Sequence, residues 1–285
     1  MELAKVKVNI RDDNFTPWDT SSCHLAENQY VEWVTDNTPV SKSCFITDLR
    51  LADVSKASGV KRKVAWLLEP RSINPHWYNW IEENNRLYDF VLTFDQALID
   101  KGQNYLYYPH GRCWIHNYEG IENKTKFCSI FASDKAMTLG HRFRHMIVDR
   151  YRSSGKMDCY GKYPGNVLDN KEDGLNPYRF SVTIENAIVR GYWTEKLLDA
   201  FATKSIPLYY GDKFSVNNFF NEDGILYFDT IEELDDILKE IERDDDGKSF
   251  YEERIDAIND KYERFEKFRV PEDWIFEEYP FLFDK

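Results

Sequence analysis

Short runs of apolar and β-branched residues recur along the chain, separated by longer polar or amphipathic stretches. They predict strands at 5–10, 44–47, 63–68, 90–93, 106–108, 126–131, 157–160, 179–184, 206–209 and 225–228. Runs this short, alternating with helical or loop stretches, point to parallel α/β sheets, whose strands are covered on both faces. The stretch 110–126, rich in Gly, Asn, Glu and Lys, divides five strand signals from five more and is the predicted linker between two α/β halves. No repeat of 20–50 residues and no low-complexity segment interrupts this order.

Towards the C-terminus the period changes from strand-like to helical. Thr230 and Glu233 form a capping box ahead of a stripe made by Ile231, Leu234, Ile237, Leu238 and Ile241. Asp244, Asp245, Asp246 and Gly247 end that helix, and a second is predicted over about 250–268. Three successive aspartates invite a metal-site reading. They follow a helix and not a strand, so a solvated turn is the expected outcome.

Composition narrows the picture. At 285 residues, with 42% hydrophobic and 16% aromatic residues, the chain can form two domains, each with its own core. Eight Trp, 18 Tyr and 19 Phe are expected to be mostly core, with a few available to stack on sugar rings. A formal charge of −13 argues against a general nucleic-acid or anionic-membrane binder, though not against a local cationic pocket. Five cysteines (Cys23, Cys44, Cys113, Cys128, Cys159) lack CxxC spacing, which predicts buried reduced thiols and not a disulfide framework or zinc knuckle. Residues 1–10 enter a strand-like alternation with no apolar signal region, and no apolar run reaches 18 residues. A cytoplasmic protein without an integral membrane segment is therefore expected.

The richest segment is 178–211, YRFSVTIENAIVRGYWTEKLLDAFATKSIPLYYG, which reads as strand, loop, helix, strand. Glu185-Asn186 end the first strand, and Thr194, a predicted N-cap, opens a helix whose Leu197, Leu198 and Phe201 face the core. Polar groups here fall outside the carboxyl end of a strand, where parallel sheets bind ligands. Lys196 breaks the electrostatic rule for a helix start, which favours anions, and a bound diphosphate would relieve the conflict. From position alone, a solvent-facing lysine on an amphipathic helix is the simpler account.

This segment is similar to the signature of the family 10 glycosyltransferases, the α1,3/4-fucosyltransferases: Glu-Asn, a short loop, an aromatic residue, x, Thr-Glu-Lys, an apolar helix and a Pro-containing strand ending in Gly. Ile184 stands where Phe is usual and Trp193 where a β-branched residue is usual, apolar for apolar in both cases. The resemblance implies a GT-B fold of two Rossmann-like domains facing a cleft: 1–122 on the acceptor side, and 123–285 for the donor with its C-terminal helices, the last of which can cross back. It implies inverting transfer of fucose from GDP-fucose, or a similar nucleotide sugar, to a glycan acceptor, with no metal cofactor. Lys196 would contact the diphosphate and Glu195 the ribose hydroxyls, with Asn186 and Tyr192 lining the same pocket. Glu185 is either structural or nucleotide-facing.

A second cation is implied for the phosphates. Arg142 and Arg144 compete for the role, and Arg144 is preferred because Ile147 and Tyr151 then repeat, at helical spacing, the apolar pattern that the resemblance implies after that Arg. His141 and His145, four apart, have a zinc-compatible spacing, but no third ligand is evident. For the general base the resemblance points to Glu69, which ends the strand in KRKVAWLLE before Pro70. Leu68 and Pro70 depart from the family's Gly and Asn neighbours. The downstream order, Asp89 to Asp95 and then Tyr107-Tyr108-Pro109, matches. Glu32, Asp48 and Asp95 are the fallback bases. Two other readings stay open: a transferase for another GDP-deoxysugar, and a non-catalytic glycan- or nucleotide-binding protein.

Overall fold

A computed structural model describes residues 4–13, 27–36, 38–102, 104–119, 121–243 and 245–283. Contacts divide the chain into two units, one of Met1–Arg112, Val189–Tyr192 and Lys267–Lys285, the other of Cys113–Ile188 and Trp193–Glu266. The division falls at 112/113 instead of near 122, because Cys113 and Ile115 are already buried and Trp114 N–H donates to Asp199 of the second unit (2.6 Å).

Unit 1 is built on six parallel strands: β1 (Val6–Arg11), β2 (Val31–Val34), β3 (Ser43–Thr47), β4 (Arg62–Trp66), β5 (Phe90–Thr93) and β6 (Tyr105–Tyr107). Their order is β2-β1-β3-β4-β5-β6. Strand β2 has no counterpart among the predicted runs. It has four residues, lies at the sheet edge and carries Glu32, which pairs with Lys7 of β1 (3.1 Å). A short, charged edge strand resists further pairing and for the same reason is hard to see in a sequence. Between the strands lie α1 (Pro75–Asn84) and α2 (Gln96–Ile99).

Unit 2 contains β7 (Lys126–Phe131), α3 (Leu139–Tyr151), β8 (Asp158–Tyr160), β9 (Tyr178–Ile184), α4 (Glu195–Ala202), β10 (Ile206–Tyr210), α5 (Lys213–Asn217), β11 (Leu226–Tyr227), α6 (Ile231–Glu242), α7 (Lys248–Glu252) and α8 (Ile255–Phe265). The strands are parallel in the order β11-β10-β9-β7-β8. All seven residues of β9 are buried because β7 and β10 flank it and helices cover it. Phe180, Val182 and Ile184 share one apolar cluster with Ile147 and Val148 of α3 and with Leu234, Leu238 and Ile241 of α6. Each such side chain contributes roughly 1.5–3 kcal/mol by leaving water. This cluster fixes where β9 ends and therefore where its loop begins.

The remaining helix, α9 (Pro271–Glu278), counts with unit 1. Thr230 caps α6 by accepting from Glu233 N–H (3.1 Å), while the Glu233 carboxylate reaches back one residue further than a capping box requires, to Asp229 N–H (2.6 Å). Asp245 and Asp246 form an exposed left-handed turn, each with φ 52°, and Asp244 lies outside the described residues. Cys44, Cys113, Cys128 and Cys159 are buried free thiols, and Cys23 lies outside the described residues. No helix among the described residues is long and apolar enough to cross a membrane.

Candidate functional site

In unit 2 the chain leaves β7, makes α3 and returns as β8 on one side, then crosses to β9 on the other. The sheet order thus reverses between β7 and β9, and the crevice at their carboxyl ends is where open α/β sheets take ligands. Two helix N-termini meet there. Helix α3 is capped by Thr138, whose hydroxyl accepts from His141 N–H (3.3 Å). Gly140 N–H donates to Asn186 O (3.3 Å), and a Cβ at Gly140 would lie 1.9 Å from Glu185 O. Only glycine lets α3 come this close to the turn after β9.

Helix α4 begins at the same place. Thr194 caps it, accepting from Lys196 N–H (3.3 Å). Glu185, fully buried, accepts from Thr194 N–H (2.9 Å), the Thr194 hydroxyl (2.7 Å) and the Tyr209 hydroxyl (3.3 Å). Burial pushes the Glu185 carboxyl up, and the Lys196 charge draws it back. The structure thus gives Glu185 a structural part: it ties the end of β9 to the start of α4.

Lys196 extends back over this cap. Its Nζ lies 2.7 Å from Glu195, 3.2 Å from the Thr194 hydroxyl and 3.9 Å from Glu185. The conflict read from the sequence, a cation at a helix start, is therefore relieved inside the protein by two carboxylates. The Lys196–Glu195 pair keeps partial contact with solvent, its side chains being 20% and 18% exposed.

Arg144 is buried on α3, with its guanidinium donating to Ile184 O and to Asn186 Oδ1 (3.4 Å). Arg142, the competing candidate, is exposed. Arg144 and Lys196 line one cavity together with Lys171 and Asp199. That cavity is small, about 30 Å³, the space of a single water.

His141, one turn before Arg144, hydrogen-bonds Thr138 through Nδ1 (2.7 Å). Burial, with the charges of Arg144 and Lys196 nearby, pulls its imidazole down to about 4. His145 instead contacts Ser133 O through Nε2 (2.8 Å) and stacks on Tyr163 at 3.6 Å. The two histidines therefore serve separate contacts. Among the described residues no cluster of His, Cys, Asp or Glu could hold a metal ion.

Tyr192 is 1% exposed and counts with unit 1, where its ring packs on Phe94 (4.8 Å) and His110 (5.6 Å). Its ring is core, which is the usual fate of an aromatic side chain.

The predicted base lies in unit 1. Glu69 is half-buried, three residues past the end of β4. Its N–H donates to Asp48 Oδ2 (3.0 Å), and its carbonyl accepts from the Tyr78 hydroxyl (3.0 Å). Asp48 also accepts from Leu68 N–H (2.8 Å) and Asn74 Nδ2 (2.9 Å). Burial, with the neighbouring Glu69 charge adding to it, pushes the Asp48 carboxyl up to about 7, against the pull of those three donors. Of the other fallback bases, Asp95 caps α2 through Ala97 N–H (2.9 Å), and Glu32 is occupied in its edge-strand ion pair with Lys7.

Sequence reading gave no role to Asp48 as an anchor, to Lys171 in the cavity, or to His141 beside the cations. Only His141 had a local signal, the N-cap Thr138 three residues before it. Asp48 and Lys171 reach their partners from distant stretches of chain.

Two parallel α/β units, with cations gathered where one sheet reverses, define a glycosyltransferase-type fold of the GT-B class. A solved α1,3-fucosyltransferase with GDP-fucose has this fold, with a TM-score of 0.60 over 99% of this chain and 91% of that one at 17% identity. Residues 121–263 match the C-terminal model of glycosyltransferase family 10 (fucosyltransferase), and the chain belongs to that family. It is 26% identical over 190 residues to a protein of Acanthamoeba polyphaga mimivirus named as a fucosyltransferase, covering 58% of this chain and 30% of that protein. It is 28% identical over 126 residues to an α-(1,3)-fucosyltransferase of Helicobacter pylori, covering 44% and 26%. The chain thus spans less than a third of the length of either curated relative.

Proposed function

We propose that the chain transfers fucose from GDP-fucose to a hydroxyl of a glycan acceptor, with inversion at the anomeric carbon and without a metal. The observation that carries this reading is the placement of Arg144 and Lys196 in one cavity at the reversal point of the unit 2 sheet, where α3 and α4 also present their N-termini. The family membership and the fucosyltransferase names of the relatives supply the sugar and the nucleotide.

In the proposed reaction the acceptor oxygen attacks the anomeric carbon as Glu69 takes its proton. The bond from that carbon to the β-phosphate oxygen breaks, and its electron pair leaves with GDP. Arg144 and Lys196 face the charge that develops on the diphosphate. Asn186 and Glu195 border the same region, and Glu195 exchanges its contact with Lys196 for the ribose hydroxyls. Fixed cations of this kind perform the neutralisation that a divalent ion would otherwise provide.

Calorimetry against GDP, GDP-fucose, other GDP-deoxysugars and UDP-sugars tests the donor, with transfer assayed in parallel with and without EDTA. GDP forms are expected to bind, UDP forms not, and EDTA to leave the rate unchanged. Lys196→Ala should lower turnover by about 10²–10³ with the circular dichroism spectrum intact. Wild-type turnover in that variant removes Lys196 from the mechanism. Glu69→Gln should bind GDP-fucose normally and lose transfer. Binding of GDP-fucose with neither transfer nor hydrolysis in the wild type would instead make this a non-catalytic binding protein.

A further inference from the structure

We infer that Asp48 is the positioning residue for Glu69: by accepting from the main chain on the amino side of Glu69, its carboxylate fixes the direction in which the Glu69 side chain leaves the end of β4. The inference rests on the reading of Glu69 as the base.

The chain leaves the sheet at Leu67, whose N–H still donates to Leu92 O (3.0 Å). The next two N–H groups, of Leu68 and Glu69, point to no strand. Both are taken by Asp48, which stands at the end of the neighbouring β3, 20 residues earlier in the chain. The Glu69 carbonyl is held from the other side by the hydroxyl of Tyr78, a fully buried residue of α1. The main chain of Glu69 is thus fixed at both its donor and its acceptor by groups from two other elements. Asn74, at the start of α1, completes the shell by donating to Asp48.

Water could have satisfied two N–H groups at a strand end without any carboxylate. Asp48 is instead 6% exposed, and both burial and the Glu69 charge disfavour its ionised form. Among the described residues no cation pairs with it: Arg71, the nearest basic residue of this loop, is engaged by Glu82 and Asp95. A buried carboxylate kept beside a second carboxylate is poor design for stability alone and is intelligible where the position of Glu69 matters. Positioning of this kind has kinetic weight, because displacing a reacting group by about 1 Å can cost about 100-fold in rate.

Asp48→Asn is the test. Asparagine offers one acceptor oxygen and turns an NH₂ toward a site that now holds three donors, so one of the three contacts must break. Expected is a fall of about 100-fold in kcat per GDP-binding site, with the KM for GDP-fucose and the affinity for GDP unchanged. A purely structural role would reduce the number of GDP-binding sites and the melting temperature but not kcat per site. Asn74→Ala, which removes one contact and leaves the carboxylate, should lower kcat about fivefold and serves if Asp48→Asn does not fold. Glu69→Gln separates the two levels. If it keeps wild-type kcat, the reading of the base is wrong. If it is inactive while Asp48→Asn and Asn74→Ala both turn over like wild type per site, Asp48 does not position it and the inference fails.

Discussion

The ends of β9 and β4 solve the same problem with opposite electrostatics. In each, a buried carboxylate just beyond a strand holds the main chain next to a charged residue: Glu185 accepts from the N–H and hydroxyl of Thr194, two residues before Lys196, and Asp48 accepts from the N–H groups of Leu68 and Glu69. Glu185 has a cation at 3.9 Å, whereas Asp48 faces another carboxylate and no cation among the described residues. Burial disfavours both charges, but only at Glu185 does a neighbouring cation oppose it. The loop carrying Lys196 is therefore locked by a compensated charge, and the loop carrying Glu69 by an uncompensated one. The two should respond differently to pH.

The largest effect expected from this difference is at Asp48. Its folded pKa of about 7 lies above the ordinary 3.8, so between those values the folded chain holds a proton that the unfolded chain has released. Stability then falls as pH rises through that window and levels off above about 7, by up to about 4 kcal/mol on simple linkage. The charged and titratable groups facing it are Glu69, Tyr78, Tyr108 and, through Tyr78, Arg71 and Asp95. Urea titrations from pH 4.5 to 8 should show the decline in the wild type and a flatter profile in Asp48→Asn. Equal slopes would mean that Asp48 is solvated enough to ionise normally. Lys196→Met sharpens the comparison. Removing the cation raises Glu185 further, so the decline should become steeper, making the β9 loop behave like the β4 loop.

Next in size is Glu185→Ala. It leaves Thr194 N–H, the Thr194 hydroxyl and the Tyr209 hydroxyl without their common acceptor in a fully buried place. Two or three orphaned donors at 1–3 kcal/mol each, partly relieved by repacking, give a loss of about 3 kcal/mol in chemical denaturation. Glu185→Gln, which keeps one acceptor, should lose about half of that. A change below about 1 kcal/mol would show that the cap of α4 does not depend on this carboxylate.

Much of this was legible in advance. Strands β5 and β7 match the apolar runs to the residue and others shift by one or two, because central parallel strands are continuous apolar stretches that need no partner to be seen. Edge strand β2 was not, since four residues carrying Glu32 look like loop. The preference for Arg144 over Arg142 comes from the family resemblance, through the apolar pattern of Ile147 and Tyr151; in the structure Arg144 is buried against Asn186 and Arg142 is exposed. Tyr192 is placed by tertiary structure: the 189–192 stretch interrupts unit 2 to join unit 1, and nothing local announces such an excursion. The two anchoring carboxylates were the least visible. Asp48 reaches Leu68 and Glu69 across 20 and 21 residues, and Glu185 reaches Thr194 across nine, so their function exists only once neighbouring strand ends are side by side.

The smallest effect isolates one bond of the compensated site. Thr194 both caps α4, accepting from Lys196 N–H, and donates its hydroxyl proton to Glu185. Thr194→Ala removes both, but Glu185 keeps the Thr194 N–H, Tyr209 and the Lys196 charge, so the carboxylate is not stranded. The expected cost is therefore that of an N-cap alone, about 1 kcal/mol, and Thr194→Ser should recover nearly all of it. The cation is what keeps this figure low. In a Lys196→Met background the same substitution should cost more than in the wild type, and strictly additive losses in that double-mutant cycle would show that Lys196 does not compensate Glu185.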